Sequence, residues 1–478
     1  MKLIQTKQNT APLNEESPEN EGTTIDLKLN MKAGGTSRKT TLTIDMLDFH
    51  NANLASLKQI GAPSKVLSER ELARNAYLTE ERSFRKVKWW QGKLGVLTQL
   101  GAFNLMVKDD SFVLDNEWLK YDSHGNTSSE PTWMDVDVGE LKPMPYPVDG
   151  VILGTYNDIG FELEFGSDGD GDPTVQIFVN DKDKEVAEEL IKCFEDETFN
   201  NLLAGKVLDG QFSILNRTKL ESGDAILSAE VLEAIHRDII AYRPLMKTIA
   251  AAGEDPSRGI LLCGPPGCGK TSAVRLILKE MPNQTAILVS NTSLQRDGLR
   301  TIFSVARRLD ALLVLEDLDA IGGLSRDLSQ HPILGQLLEL LDGLEGNGEV
   351  IVLASTNHVE KLDSALTARP GRFDRIITVE APSSSVRKEL LQRSLDRFGG
   401  FEGNLSQAVR YTDGFTGAYI AELAKSTWLE QLRCGDVKIT QNHLNSAVDQ
   451  VLSQFERAMD GHRSTSKPVG CAVGVDWQ

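Results

Sequence analysis

The sequence predicts an α/β fold built on a parallel five-stranded sheet with a C-terminal helical lid, preceded by a separate acidic α+β domain. Three observations carry that prediction. After residue 220, short apolar runs alternate with helix-period segments, the pattern of buried parallel strands flanked by helices. Beyond Pro382 those runs stop and only helical spacing remains. Residues 101–200 hold 6 Lys/Arg against 24 Asp/Glu, which equals the formal net charge of −18 of the whole 478-residue chain.

Taken in order, residues 1–24 are rich in Asn, Glu, Thr and Pro and read as a disordered lead-in. An N-terminal region spans 25–218. From about 40 to 84 its apolar spacing is helical in places, at Leu42, Ile44 and Leu47, then Leu54, Leu57 and Ile60. Arg82 to Trp90 interleaves basic and aromatic residues, a composition that can touch nucleic acid; an exposed element with its tryptophans packed inward is the preferred reading. Val151–Tyr156, Phe161–Phe165 and Val175–Val179 alternate like strands, and 184–195 reads as a helix. Asp168-Gly-Asp-Gly-Asp172 lacks the later bidentate Glu of a calcium loop and reads as a hairpin connection.

The α/β domain spans 219–383, with strands expected at Gly259–Cys263, Ala286–Ser290, Ala311–Leu315, Val350–Ala354 and Arg375–Val379. The lid spans 384–460, with helices near 385–398, 405–411, 416–434 and 440–457. Residues 461–478 read as a flexible tail. No apolar run approaches the ~18 residues that cross a bilayer, and the first residues lack an apolar signal core. Five scattered cysteines, an odd number, argue against a disulfide framework. The expectation is a soluble, cytoplasmic protein without a membrane partner. The seven histidines show no metal-ligand spacing and are read as structural or surface residues. Arg307 and Arg308 are read as a solvated helix face.

The chemistry concentrates in four places. Gly264, Pro265, Pro266, Gly267, Cys268, Gly269, Lys270 and Thr271 fit G-x-x-x-x-G-K-[ST] between an apolar strand and an apolar-periodic helix. The glycines let backbone N–H groups turn inward around phosphate oxygens, and the helix points its positive end at the same anion. Lys270 can reach β- and γ-phosphates, and the Thr271 hydroxyl can sit on Mg²⁺. Leu312 to Leu315 then delivers Glu316 and Asp317 at a strand's C-terminal end, where open α/β sheets bind ligands. One carboxylate can organise the metal shell and the other a water. Val350 to Thr356 ends in Asn357, an amide able to hold both phosphate and attacking water. Last, Arg369 and Arg372 flank a Pro-Gly turn, from which they form salt bridges within the domain or project toward a neighbour's nucleotide.

Together with Asp413-Gly-Phe-Thr-Gly-Ala418, these motifs resemble the AAA branch of the AAA+ ATPases over about 220–460. The resemblance implies a P-loop AAA+ core with helical lid, ATP and Mg²⁺ bound between them, and a self-assembled ring, usually a hexamer. It matches Asn357 to sensor 1, Arg369 and Arg372 to the arginine fingers, and Ala418 to the neighbourhood of sensor 2. On this reading Thr271 and Glu316 organise Mg²⁺, and Asp317 polarises the water that Asn357 positions. Which acid does so stays open.

Three departures stand out. The acids run Glu then Asp, where most of the family has Asp then Glu, and Asp is shorter by about 1.5 Å. The connection from Ser290 to Leu299 is short and has no aromatic–glycine pair. One residue is inserted before Arg369. The first two are similar to one sub-branch, the mitochondrial ATPase that moves the folded Rieske protein for respiratory complex III, whose membrane helix and N-terminal domain have no recognisable counterpart here. The expected function is ATP hydrolysis coupled to remodelling or translocating a protein client, chosen by the N-terminal region. The alternatives are an ATP-regulated switch or loader on nucleic acid, which the acidic block opposes, and a weakly hydrolysing nucleotide-dependent scaffold.

Overall fold

The computed structural model describes residues 24–33, 36–45, 67–79, 81–87, 92–115, 118–121, 124–139, 142–220, 225–290, 298–318, 332–342, 348–358 and 372–463. They fall into two units, one up to Leu72 and one from Ala73. In the first, β1 (Thr24–Ala33) and β2 (Thr36–Asp45) pair antiparallel, with Leu27 opposite Leu42 and Ile25 opposite Ile44. Leu42 and Ile44, expected on a helix, therefore lie in a strand. Their two-residue spacing, set among threonines, obeys the strand period, which wins over the looser helical match. Leu47, Leu54, Leu57 and Ile60 lie outside the described residues, as do the lead-in before Thr24 and the tail beyond Arg463.

The second unit opens with β3 (Arg82–Val87), α1 (Gly92–Lys108) and β4 (Phe112–Leu114). Two small hairpins follow, β5 (Lys120–Tyr121) with β6 (Thr127–Ser129) and β7 (Trp133–Val136) with β8 (Met144–Pro147). Then come β9 (Gly150–Tyr156), β10 (Ile159–Ser167), β11 (Pro173–Asn180) and α2 (Lys184–Glu197). Strands β3-β11-β10-β9-β4 make an antiparallel sheet. Its inward residues Phe161, Leu163, Phe165, Val175 and Ile177 pack with Ala102 and Met106 of α1 and Leu190 and Phe194 of α2. The Asp168–Asp172 segment is the β10–β11 turn. Its Asp168 carboxylate accepts the N–H groups of Asp170 and Asp172 at 3.0 Å, so it serves the hairpin.

After α2 the chain adds β12 (Val207–Asp209), β13 (Ile214–Leu215) and α3 (Ala229–Ile235). There follow β14 (Arg258–Cys263), α4 (Lys270–Glu280), β15 (Ala286–Val289), α5 (Gly298–Arg308), β16 (Leu312–Leu315), α6 (Pro332–Asp342), β17 (Ile351–Thr356) and β18 (Phe373–Thr378). The sheet runs β13-β12-β15-β16-β17-β14-β18, parallel throughout except for β13. The five expected strands are present and contiguous. Two short strands from 207–215 extend the sheet beyond them. The lid is α7 (Ser384–Asp396), α8 (Ser406–Tyr411), α9 (Gly417–Cys434) and α10 (Gln441–Arg463), around a core of its own that includes Leu391, Leu395, Leu423 and Leu444.

The acidic N-terminal domain is not separate. One hydrophobic cluster runs from Leu94, Leu97 and Leu100 of α1 through Phe199, Leu203 and Leu208 to Ile287, Leu313 and Val352 of the parallel sheet. Burying a side chain such as Phe199 contributes about 1.5–3 kcal/mol, so this seam holds firmly. Arg308, expected on a solvated face, pairs with Asp196 and lies 5.7 Å over the Phe199 ring. The joining face is apolar, so the acidic composition of 101–200 does not mark off a separately packed unit. Among the described residues no helix is long and apolar enough to cross a membrane.

Candidate functional site

Strand β14 lies between β17 and β18, and the chain leaves it for β15 on the far side of β17. Such a change of direction is where open α/β sheets bind ligands. Residues 264–269 leave β14 as a glycine-rich turn and feed α4. At Gly264, φ is 151° and a Cβ would lie 2.0 Å from the Val379 carbonyl oxygen, so only glycine lets the turn pass β18. At Gly267, φ is 79° and a Cβ would lie 2.7 Å from the Ala418 Cβ. The Ala418 N–H donates to the Gly267 carbonyl at 3.1 Å, so the first turn of α9 rests on the loop.

Lys270 ties two strand ends together, and Asn357 adds a third. Lys270 Nζ donates to the carbonyls of Gly264 at 2.7 Å and Pro265 at 3.0 Å, and to Asn357 Oδ1 at 2.7 Å. The Asn357 amide donates onward to Asp317 Oδ1 at 3.3 Å. Asp317 has φ 50°, a left-handed conformation that Asp tolerates better than most residues, and its N–H donates to Ser355 Oγ at 3.1 Å. Glu316 is half-buried. Burial pushes its carboxyl above the usual Glu range, Asp317 adds to the rise, and Arg275 opposes it. Burial likewise pushes the Cys268 thiol up, against the pull of Lys270.

These groups line a cavity of about 520 Å³. Its polar side is Lys270, Thr271, Glu316, Asp317 and Asn357, and Ile226, Pro382 and Leu390 supply an apolar wall. The arrangement suits an anionic ligand that also carries a less polar part. The Thr271 hydroxyl and the two carboxylates are hard oxygen donors of the kind Mg²⁺ prefers, so the donor set fits that ion.

Most sequence-predicted residues are thus brought together: the 264–271 loop, Glu316, Asp317, Asn357 and Ala418. Pro265 contributes its carbonyl to Lys270 and does not line the cavity. Arg369 lies outside the described residues. Arg372 is a correction. It is 3% exposed, and its guanidinium makes a two-pronged pair with Asp342 at the end of α6, so it holds the domain together and does not project from it. A Pro-Gly turn fixes the spacing of two arginines but not which way either faces. Sequence reasoning missed Ser355, which orients the Asp317 backbone, and Arg275, whose charge opposes the rise at Glu316. Ser355 stands two residues before Asn357, yet a serine in a buried strand carries no signal by itself.

Residues 260–381 match the ATPase family associated with various cellular activities (AAA). This segment is an AAA ATPase domain. The chain is 34% identical over 250 residues to the ATP-dependent zinc metalloprotease FtsH 2 of Salinibacter ruber, covering 49% of this chain and 36% of that protein. It is 35% identical over 221 residues to the proteasome-activating nucleotidase of Pyrococcus abyssi, covering 43% and 55%. With YME1L of Drosophila melanogaster, an ATP-dependent zinc metalloprotease, it shares 31% over 235 residues, covering 46% and 31%. The chain therefore spans about a third to about half the length of these relatives.

Proposed function

We propose that this protein is a Mg²⁺-dependent ATPase that assembles with copies of itself into a ring, a hexamer, and couples hydrolysis to remodelling or moving a protein client. The observation that carries the reading is the convergence of Lys270, Asn357 and Asp317 on the loop that the lid touches through Ala418. The names of the relatives join ATP to protein turnover and support a protein client. The sequence contains no H-E-x-x-H, so the proposal takes only their ATPase part.

In this mechanism Lys270 exchanges its carbonyl partners for phosphate oxygens, leaving the Asn357 amide to face the γ-phosphate and the attacking water. Asp317, fixed through Ser355, accepts that water's proton. Thr271 and Glu316 would hold Mg²⁺, which supplies charge neutralisation at the phosphates when bound. Arg369 of an adjacent copy completes that neutralisation, a contribution of about 10³–10⁵ in rate where such arginines act. Arg372 keeps α6 in place through its pair with Asp342. The N-terminal region chooses the client, and its seam with β15 and α5 carries motion between the two.

A finer reading places the motor with translocases of folded clients, supported by the Glu316–Asp317 order and the short Ser290–Leu299 connection. The thiols of Cys193, Cys263, Cys268 and Cys434 are free, which suits a reducing, cytoplasmic setting. Turnover per chain, measured across the range of protein concentration in which rings form, tests the ring mechanism. It should rise with assembly and fall in the Asp317→Asn and Arg369→Ala variants. A per-chain rate that stays flat from monomer to ring removes the trans arginine, and wild-type turnover in both Glu316→Gln and Asp317→Asn removes the acid assignment.

A further inference from the structure

We propose that the far end of the lid holds a structural divalent-metal site, suited to Zn²⁺, made by Cys434, Asp436 and His443. Their ligand atoms, a thiol sulfur, a carboxylate oxygen and a ring nitrogen, lie within 4.8 Å of one another. The three come from the turn between α9 and α10, and two helix caps hold them in place.

Helix α9 ends in a left-handed glycine cap. Gly435 has φ 73°, its N–H donates to the Leu432 carbonyl at 3.2 Å, and the Asp436 N–H reaches the Gln431 carbonyl at 3.2 Å. The Gln431 side-chain amide donates back to the Asp436 carbonyl. Cys434 and Asp436 therefore flank a glycine whose conformation is fixed. Helix α10 begins with a side-chain cap, in which the Thr440 N–H donates to His443 Nδ1 at 3.1 Å. This leaves Nε2 facing Asp436 Oδ2 at 2.9 Å. The histidine is buried, while Cys434 and Asp436 are exposed, so an ion has both a fixed anchor and access from solvent.

The donor set selects the ion. A thiolate, an imidazole and a carboxylate suit Zn²⁺ in a tetrahedron whose fourth corner is water, and Mg²⁺ disfavours sulfur. Zn–S of about 2.3 Å and Zn–N of about 2.0 Å put tetrahedral ligands roughly 3.3–3.5 Å apart. From a spread of up to 4.8 Å the wider separations close by about an ångström, and the His443–Asp436 pair opens slightly from 2.9 Å, by rotation about the Cys434 and Asp436 side chains. Two negative ligands offset the ion's charge. Proton balance is simple. Cys434 releases its thiol proton to solvent. The neutral His443 proton passes from Nε2 to Nδ1, which gives up the bond from the Thr440 N–H and donates instead to Thr440 Oγ1, 3.2 Å away. The site is remote from the phosphate loop, because α9 is 18 residues long and about 27 Å separates its ends. Sequence inspection passed over it because the ligands straddle a helix–turn–helix and include only one cysteine and one histidine.

The full chain, purified with reductant and excess Mg²⁺ but without nucleotide, should bind one Co²⁺ with a thiolate-to-cobalt charge-transfer band that Zn²⁺ abolishes. Cys434→Ser should remove the band, and His443→Ala should weaken binding at least 100-fold. Thr440→Val should weaken it about 10–100-fold, as loss of an outer hydrogen bond does. Cys193→Ser should leave it unchanged. Because Cys434 is exposed, its serine variant folds as the wild type does, which far-ultraviolet circular dichroism checks. A wild-type protein that shows no such band, or keeps it in Cys434→Ser, overturns the site. None of these readouts depends on ATP turnover.

Discussion

Gly267→Ala is the sharpest probe of the contact between lid and phosphate loop. The new Cβ would stand 2.7 Å from the Ala418 Cβ, where carbon atoms rest at about 3.5–4.0 Å, so roughly an ångström of displacement is forced. Overlap of that kind costs about 1–3 kcal/mol, and the left-handed backbone at φ 79° adds about 1–2 kcal/mol for a residue with a side chain. The total, about 2–5 kcal/mol, would not unfold a domain of ordinary stability. The lid has its own core, so it can swing away intact and release the overlap. Opening removes Ala418 and Leu390 from the nucleotide cavity, and the released overlap of about 1–3 kcal/mol appears as lost affinity, about fivefold at the low end and about a hundredfold at the high end. Titration with a fluorescent ATP analogue measures this directly. Ala418→Gly removes the opposing atom, so the double variant should regain most of that affinity while the backbone term persists as lost stability. Unchanged affinity in Gly267→Ala, or a loss that Ala418→Gly does not relieve, refutes the idea that the lid seats on the loop here.

Glu316→Gln should raise the melting temperature of the nucleotide-free protein at neutral pH. The folded carboxyl titrates above its unfolded value, so the folded state favours the protonated form and the ionised one is a burden; the gain should shrink as pH falls through the raised value toward the ordinary Glu range. Arg74→Ala should lower stability by about 3–5 kcal/mol in urea unfolding, because Glu162 is fully buried and the guanidinium pairs with both of its oxygens. The two finger candidates should separate: Arg372→Ala lowers the melting temperature together with turnover, and Arg369→Ala lowers turnover with the melting temperature unmoved.

Legibility followed burial. Strands β14, β16 and β17 are buried on both faces, so each is an unbroken apolar run bounded by turn residues, and their predicted limits fall within two residues of those observed. The lid helices were readable for the complementary reason, one apolar stripe per turn around a shared core. β12 and β13 were not, since three and two residues carry no period, and they join the sheet only because the α2 end and β15 position them. The seam between the N-terminal region and the parallel sheet was invisible for a different reason. Leu94, Leu97 and Leu100 show that α1 buries a face, and nothing in their spacing names the face it meets.

The order of the two acids shows what the backbone adds to a motif. From the sequence, Asp317 in place of a longer acid is a shortfall of about 1.5 Å. In the folded chain that residue leaves β16 in a left-handed conformation, which Asp adopts at lower strain than Glu because its short side chain can bond locally. The turn re-aims the side chain, Ser355 fixes its N–H, and the Asn357 amide already reaches its carboxylate at 3.3 Å. Glu316, the longer acid, is half-buried, and burial and the Asp317 charge raise its carboxyl against the pull of Arg275. The exchange of the two residues and the positive φ therefore belong together: the site keeps a carboxylate beside the Asn357 amide by turning the chain at Asp317 instead of extending the side chain.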